Sequence, residues 1–141
     1  MDYTISTDKS RLNIDVIHGY LSKESYWAEN IPKAIVEKSI ENSLCFGIYR
    51  QSEMIGFARV ITDTATFAYL ADVFVLTEHR GKGLSKWLME EIMAHPDLQG
   101  LRRFMLATSD AHGLYARFGF KALDKPERIM AINYPDLYTS L

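Results

Sequence analysis

The spacing of apolar residues changes several times along the chain, and each change marks an element. Leu44–Arg50 and Met54–Thr62 are dense in β-branched, aromatic and aliphatic residues, and Gln51–Glu53 between them reads as a hairpin turn. Asp63-Thr64 turns the chain again into Thr66–Val75, a further strand. Tyr3–Ser6 and Arg103–Ala107 supply shorter strands near either end. Helical spacing takes over elsewhere. Leu12, Val16 and Ile17 give one face of a helix running through Ser22, with Asn13 or Ser10 as its cap. Pro32 suits the first position of a second helix reaching about Asn42, with Ile35, Val36 and Ile40 turned inward. Leu84, Trp87, Leu88 and Ile92 fall on one helical face until His95-Pro96-Asp97 breaks the pattern. Asp110–Phe118 is a short helix ended by Gly119, and Phe120–Leu123 and Arg128–Asn133 read as closing strands. Lys23–Asn30 is a polar loop carrying Tyr26 and Trp27 at its tip. This order predicts an α/β (α+β) domain with a mixed, mostly antiparallel sheet and helices on both faces.

Composition narrows the function. At 141 residues a single domain spanning 1–141 is expected, and 48% hydrophobic with 12% aromatic residues excludes a disordered chain. A net charge of −2, with both signs interspersed, gives no electrostatic footprint for nucleic acid. Cys45 is the single cysteine, so there is no disulfide framework, and its apolar surroundings read as a buried position. The four histidines, His18, His79, His95 and His112, form no pair at ligand spacing, so no metal is expected. The N-terminus lacks the basic-then-apolar pattern of a signal segment, and no apolar run reaches membrane-spanning length. A cytoplasmic protein without membrane contact is the resulting expectation.

One stretch carries chemistry. From Asp72 to Met89 the chain reads as buried strand, glycine-containing charged loop and amphipathic helix. A helix start leaves N–H groups unpaired and bears partial positive charge, and Gly81 and Gly83 let a loop curl so that such groups converge on an anion. Arg80, Lys82 and Lys86 add full charges at the same point. The spacing fits neither a Walker A loop nor a dinucleotide fingerprint, whose third glycine falls here on Lys86. On glycine spacing alone, an ordinary strand-to-helix turn with a solvated basic rim is the favoured reading.

The stretch resembles the acetyl-CoA signature of the GNAT superfamily of N-acetyltransferases, [QR]-x-x-G-x-[GA], preceded by a strand ending in Val. Val75, Arg80 and Gly83 match it, and Ser85 stands where Gly or Ala is usual. A second segment, Thr108 to Phe120, is similar to the family pattern N-x-x-A-x-x-L-Y-x-x-x-G-F. Ala111, Leu114, Tyr115, Gly119 and Phe120 match in register, and Thr108 replaces the usual Asn.

The resemblance implies acetyl-CoA as co-substrate, bound where the fourth and fifth strands splay apart. Backbone groups of Val73, Phe74 and Val75 would hold the pantetheine arm. The cradle of Gly81, Lys82, Gly83, Leu84, Ser85 and Lys86, with Arg80, would hold the pyrophosphate, and Thr108 would contact the cofactor. Tyr115 would protonate the leaving thiolate as general acid. Relatives often carry an acidic residue at positions that fall on Tyr69 or Ala71, so no base is assigned. Strand alternation points Asp72 to the opposite face. Tyr26, Trp27, Arg59 and Tyr69 are the candidate acceptor-site residues. His112 and Arg117 are read as exposed helix positions. The expected activity is acetyl transfer to a primary amine, of a small molecule, in a ternary complex. A protein or peptide acceptor, and a non-catalytic acyl-CoA sensor, are the alternatives. The exposed edges of the closing strands offer a contact for a homodimer.

Overall fold

The computed structural model describes residues 2–139. Five strands form one sheet in sequence order: β1 (Tyr3–Ser6), β2 (Leu44–Arg50), β3 (Glu53–Thr62), β4 (Phe67–Val75) and β5 (Arg103–Leu106). The first four are antiparallel neighbours, while β5 joins β4 in parallel from Phe67↔Arg103 to Leu70↔Leu106. The helices are α1 (Ile14–Lys23), α2 (Lys33–Glu41), α3 (Leu84–Ala94) and α4 (His112–Ala116). The helix α3 makes the crossover that a parallel β4–β5 pair requires.

Local chemistry explains the element ends. The Asn13 side chain accepts the Val16 N–H and starts α1, and Pro32 stands as the cap residue before α2 rather than as its first helical residue. His95 ends α3, and Pro96 follows in a short 3₁₀ turn. Between β3 and β4, the Asp63 carboxylate accepts the N–H groups of Ala65, Thr66 and Phe67 at 3.0, 2.7 and 3.1 Å. The Thr66 hydroxyl also donates to Asp63 Oδ2 at 2.7 Å, so four donors on one carboxylate lock that turn.

Two apolar clusters lie on opposite faces of the sheet. Phe46, Ile48, Ala58, Val60, Ala68, Leu70 and Val75 pack with Leu84, Leu88, Met89 and Ile92 of α3. On the other face, Cys45, Tyr49, Phe57 and Phe74 pack with Ile17, Leu21, Val36 and Ile40 of α1 and α2. The two-residue period of β2 therefore feeds both cores at once.

Two readings of the sequence require correction. The segments Phe120–Leu123 and Arg128–Asn133 are not strands: residues 120–133 contain only the 3₁₀ turn Pro126–Arg128, and the sheet ends at β5. Their alternation is real, but a strand also needs a neighbour to complete its hydrogen bonds. The second concerns Asp72. In β4, Ala68 and Leu70 face α3 and Tyr69 faces α1 and α2, so strict alternation turns Asp72 toward α3. The ladder to β3 passes from Arg59↔Ala71 to Phe57↔Phe74, setting Asp72 and Val73 opposite Ala58. This is a β-bulge, and Asp72 sits in it at φ 57°, a left-handed conformation that Asp tolerates. The bulge keeps Asp72 on the same face as Tyr69 and Arg59.

Candidate active site

The bulge also opens the cleft. Pairing between β4 and β5 stops at Leu70↔Leu106, immediately before it, and the two strands part. A cavity of about 710 Å³ occupies the opening. Its walls come from β4 (Tyr69, Ala71, Asp72, Val73), from the end of β5 and the loop beyond (Leu106 to Ala111), from Arg59, and from Tyr115 of α4. Tyr26, Trp27 and Ile31 of the α1–α2 loop, Ile35 and Ser39 of α2, and Tyr138 of the tail also line it. The candidate acceptor residues Tyr26, Trp27, Arg59 and Tyr69 are thus brought together with Tyr115 and Thr108. Sequence reasoning passed over Tyr138, which no motif marks, and gave Asp72 the wrong face.

A polar network fixes one wall. The Trp27 indole N–H donates to Asp72 Oδ1 at 2.8 Å, and Arg59 Nε donates to Asp72 Oδ2 at 2.9 Å. Arg59 Nη1 donates to Ser43 Oγ at 3.1 Å, and that hydroxyl donates to the Ser39 carbonyl at 2.7 Å. The Arg59 and Asp72 side chains are only 16% and 10% exposed, so the pair is largely withdrawn from water. Each Asp72 oxygen accepts one of these bonds, so the carboxylate ties the α1–α2 loop to Arg59. Across the opening, Tyr26 Oη accepts the Ser109 N–H at 3.1 Å. The Tyr26 and Trp27 rings meet edge to face, 5.0 Å apart. The two neighbouring aromatics therefore tie one loop to both walls, Trp27 to β4 and Tyr26 to the β5–α4 loop.

Tyr115 is 8% exposed and its ring packs near Phe120. Burial pushes its hydroxyl pKa above the ordinary phenol value, and nearby Tyr26 and Asp110 push the same way. The group therefore holds its proton through neutral pH. Thr108 Oγ1 accepts the Ala111 N–H at 3.0 Å and the Asp110 N–H at 3.4 Å, organising the approach to α4. Its acceptor capacity is turned to its own loop, and its hydroxyl proton is left for other contacts.

The glycine loop follows the C-terminal end of β4. Gly81 and Gly83 have φ of 78° and 77°, values that an L side chain rarely adopts. Gly83 is the residue before α3, whose first intrahelical bond runs from Trp87 N–H to the Gly83 carbonyl at 3.1 Å. The N–H groups of Leu84, Ser85 and Lys86 precede that bond and belong to the open helix start. Leu84 is 2% exposed and anchors the turn in the core, whereas Gly81, Lys82, Gly83 and Lys86 are exposed. Arg80 is pinned: its Nε donates to the Val75 carbonyl at 2.8 Å and an Nη donates to Tyr20 Oη at 3.0 Å. Lys82 Nζ donates to Tyr3 Oη at 3.3 Å, and Tyr3 in turn bonds His79 Nδ1 at 2.8 Å. Val73 packs toward the α3 face and Phe74 toward the other.

Residues 14–120 match the model of the acetyltransferase (GNAT) family. The chain belongs to the GNAT acetyltransferase family. A Gibberella zeae protein described as a candidate acetyltransferase is 35% identical, over 82% of this chain and 77% of its own. This GNAT chain also superposes with a TM-score of 0.95 on a crystal structure from Xanthomonas campestris pv. campestris, described as a candidate acetyltransferase of the GNAT family. That similarity is 58% identity, covering 97% of this chain and 96% of the other. A GNAT family acetyltransferase from Elizabethkingia anophelis, solved with acetyl-CoA bound, shares the fold at a TM-score of 0.65 and 14% identity. The match covers 87% of this chain and 78% of that one. Among the described residues, no group of three or more His, Cys, Asp or Glu is placed to hold a metal ion. No helix among them is long and apolar enough to cross a membrane.

Proposed function

We propose that this acetyltransferase moves an acetyl group from acetyl-CoA to a primary amine of a small molecule, directly and in a ternary complex. The observation that carries the reading is the single cavity running from the β4 splay to the Tyr26–Trp27 strap, with Tyr115 in its wall. The fit to acetyl-CoA rests on the two left-handed glycines, on the open N–H groups at the start of α3, and on the β4 edge beyond Leu70. The helix start and Lys86 would receive the pyrophosphate, with Arg80 and Lys82 beside it. The backbone of Val73, Phe74 and Val75 would receive the pantetheine arm, and Thr108 would lie against it. When bound, acetyl-CoA supplies a thioester carbonyl open to attack by an amine.

The remaining chemistry falls to the chain. Backbone N–H groups of the parted strand offer a donor to the developing oxyanion. Tyr115, kept protonated by burial, gives its proton to the leaving sulfur. Direct transfer is supported by Cys45. This lone thiol is 1% exposed in the α1/α2 core and its pKa is raised to about 11 by burial, so it cannot serve as a covalent relay in the cleft. No base is assigned: the Asp72 carboxylate accepts from Trp27 and Arg59, and the acceptor amine either gives its proton to a water chain or arrives neutral. A small molecule is favoured because the strap joins both walls and turns a groove into a bounded pocket.

The test is a thiol-release assay with acetyl-CoA over a panel of free amines and a panel of peptides, with mass spectrometry of the acceptor. Acetylation of free amines, lost in Tyr115→Phe, is expected. Transfer to peptides alone would reassign the acceptor, and acetyl-CoA binding without transfer to any amine would favour a sensor.

A further inference from the structure

One wall of the cleft is apolar, and the transfer chemistry makes no use of it. Helix α2 supplies part of it. Val36 and Ile40 sink into the core at 0% and 5% exposure, but Ile35, expected to face inward with them, is 40% exposed and lines the cavity instead. Ile31, Ile35 and Ser39 follow one another at four-residue intervals, so they share one side of the helix and its approach. The strap brings Tyr26 and Trp27, 61% and 42% exposed, to the same cavity. Three large apolar side chains left open to water are thus gathered in one recess, which is the character of a ligand surface rather than of scattered surface residues.

The polar groups of that wall are occupied within the chain. Ser39 Oγ donates to the Val36 carbonyl at 2.7 Å, and Tyr26 Oη accepts the Ser109 N–H. Arg59 is the one cation among the described residues that line the cavity, and Asp72 stands against it at 2.9 Å. Asp110 adds a second carboxylate, with no ion pair among the described residues. The lining therefore sets two acids against one base. An ammonium suits that field, whereas a carboxylate or phosphate on the acceptor would lose water without an unpaired cation to meet it. We propose that the acceptor is a primary amine on a flat, apolar body that bears no acidic group, seated against Tyr26, Trp27 and Ile35. The inference rests on the amine-transfer reading above and narrows its substrate. Aromatic rings set edge to face, as these two are, offer a flat body both a face and an edge to pack on.

Thiol release with saturating acetyl-CoA tests this on three matched amines: benzylamine, para-(aminomethyl)benzoate and ethanolamine. The value of kcat/KM for benzylamine should exceed each of the others at least about tenfold, the scale on which an apolar pocket discriminates. Ile35→Arg places a free cation in the wall at an exposed helix position that Arg tolerates. It should narrow or invert the preference for benzylamine over the benzoate and leave KM for acetyl-CoA unchanged. Ile35→Ala removes apolar surface without adding charge, and should lower kcat/KM for benzylamine but not for ethanolamine. Equal or better use of the benzoate or ethanolamine by wild type overturns the inference and leaves acetyl transfer standing. So does a folded Ile35→Arg protein with the wild-type preference. Acetyl-CoA binding with transfer to no amine, or transfer to peptides alone, overturns both readings.

Discussion

Replacing Asp72 with Asn separates charge from shape in the wall of the cleft. Asn tolerates the left-handed backbone at this bulge, and its amide oxygen still accepts the Trp27 indole N–H. What is lost is the carboxylate facing Arg59 at 2.9 Å. Breaking a fully buried pair costs about 3–5 kcal/mol, because the surviving charge is left without a counterion. Here Arg59 keeps 16% of its side chain in water and its bond to Ser43, so the loss is placed lower, at about 2–3 kcal/mol. For a chain of this size that lowers the melting temperature by roughly 4–12 °C. Urea unfolding followed by circular dichroism measures it at 25 °C. The second arm of the experiment decides the cause. Adding Arg59→Met to Asp72→Asn removes the orphaned guanidinium and should return at least about 1 kcal/mol, so the double variant is more stable than the sum of singles. A loss under about 0.5 kcal/mol for Asp72→Asn, or strict additivity, would refute the idea that this pair holds the wall.

Further outcomes follow from other sites. Tyr115→Phe should lower kcat about 10²- to 10⁴-fold with little change in KM for acetyl-CoA. Because burial raises the Tyr115 pKa, wild-type kcat should show no loss from this group between pH 7 and 9, and a steady fall there would argue against it as the acid. Tyr49 is 1% exposed and its hydroxyl has no partner among the described residues, so Tyr49→Phe should stabilise the protein by about 1 kcal/mol in urea unfolding. Asp63, held by its turn donors, has a pKa well below the usual carboxylate range. Its contribution to stability is full above about pH 4 and is lost as pH falls toward the folded value. Asp63→Asn should therefore show a shallower loss of urea midpoint between pH 5 and pH 3 than wild type.

Much of the fold was legible because its signals are local. Tyr3–Ser6 and Leu44–Arg50 are strands with the expected bounds, since dense β-formers flanked by polar residues leave little choice. The Pro96 break was legible for the same reason, and the cap of α1 was narrowed to Asn13 or Ser10, of which the structure uses Asn13. The glycine loop was visible because Gly81 and Gly83 occupy backbone conformations that few other residues tolerate. The misses lie where the deciding interaction is distant in sequence. The direction of Asp72 depends on a bulge set by the register against β3, which alternation along β4 does not contain. The tail alternates like a strand, yet among the described residues it makes no ladder with β5, and alternation alone does not supply a partner. Tyr138 reaches the cavity from the far end of the chain without any motif to announce it.

The most direct test of an acetyl-CoA cleft on β4 and α3 is calorimetric titration of the protein with acetyl-CoA beside Gly83→Glu. A Cβ at Gly83 meets nothing within 4 Å, so the substitution adds no clash inside the protein. It places a carboxylate at the helix start, where the pyrophosphate would sit, on a backbone with φ of 77° that any side chain strains. A folded Gly83→Glu that has lost the saturable binding shown by wild type is the predicted result. Equal binding by both proteins, or none by wild type, would contradict the account.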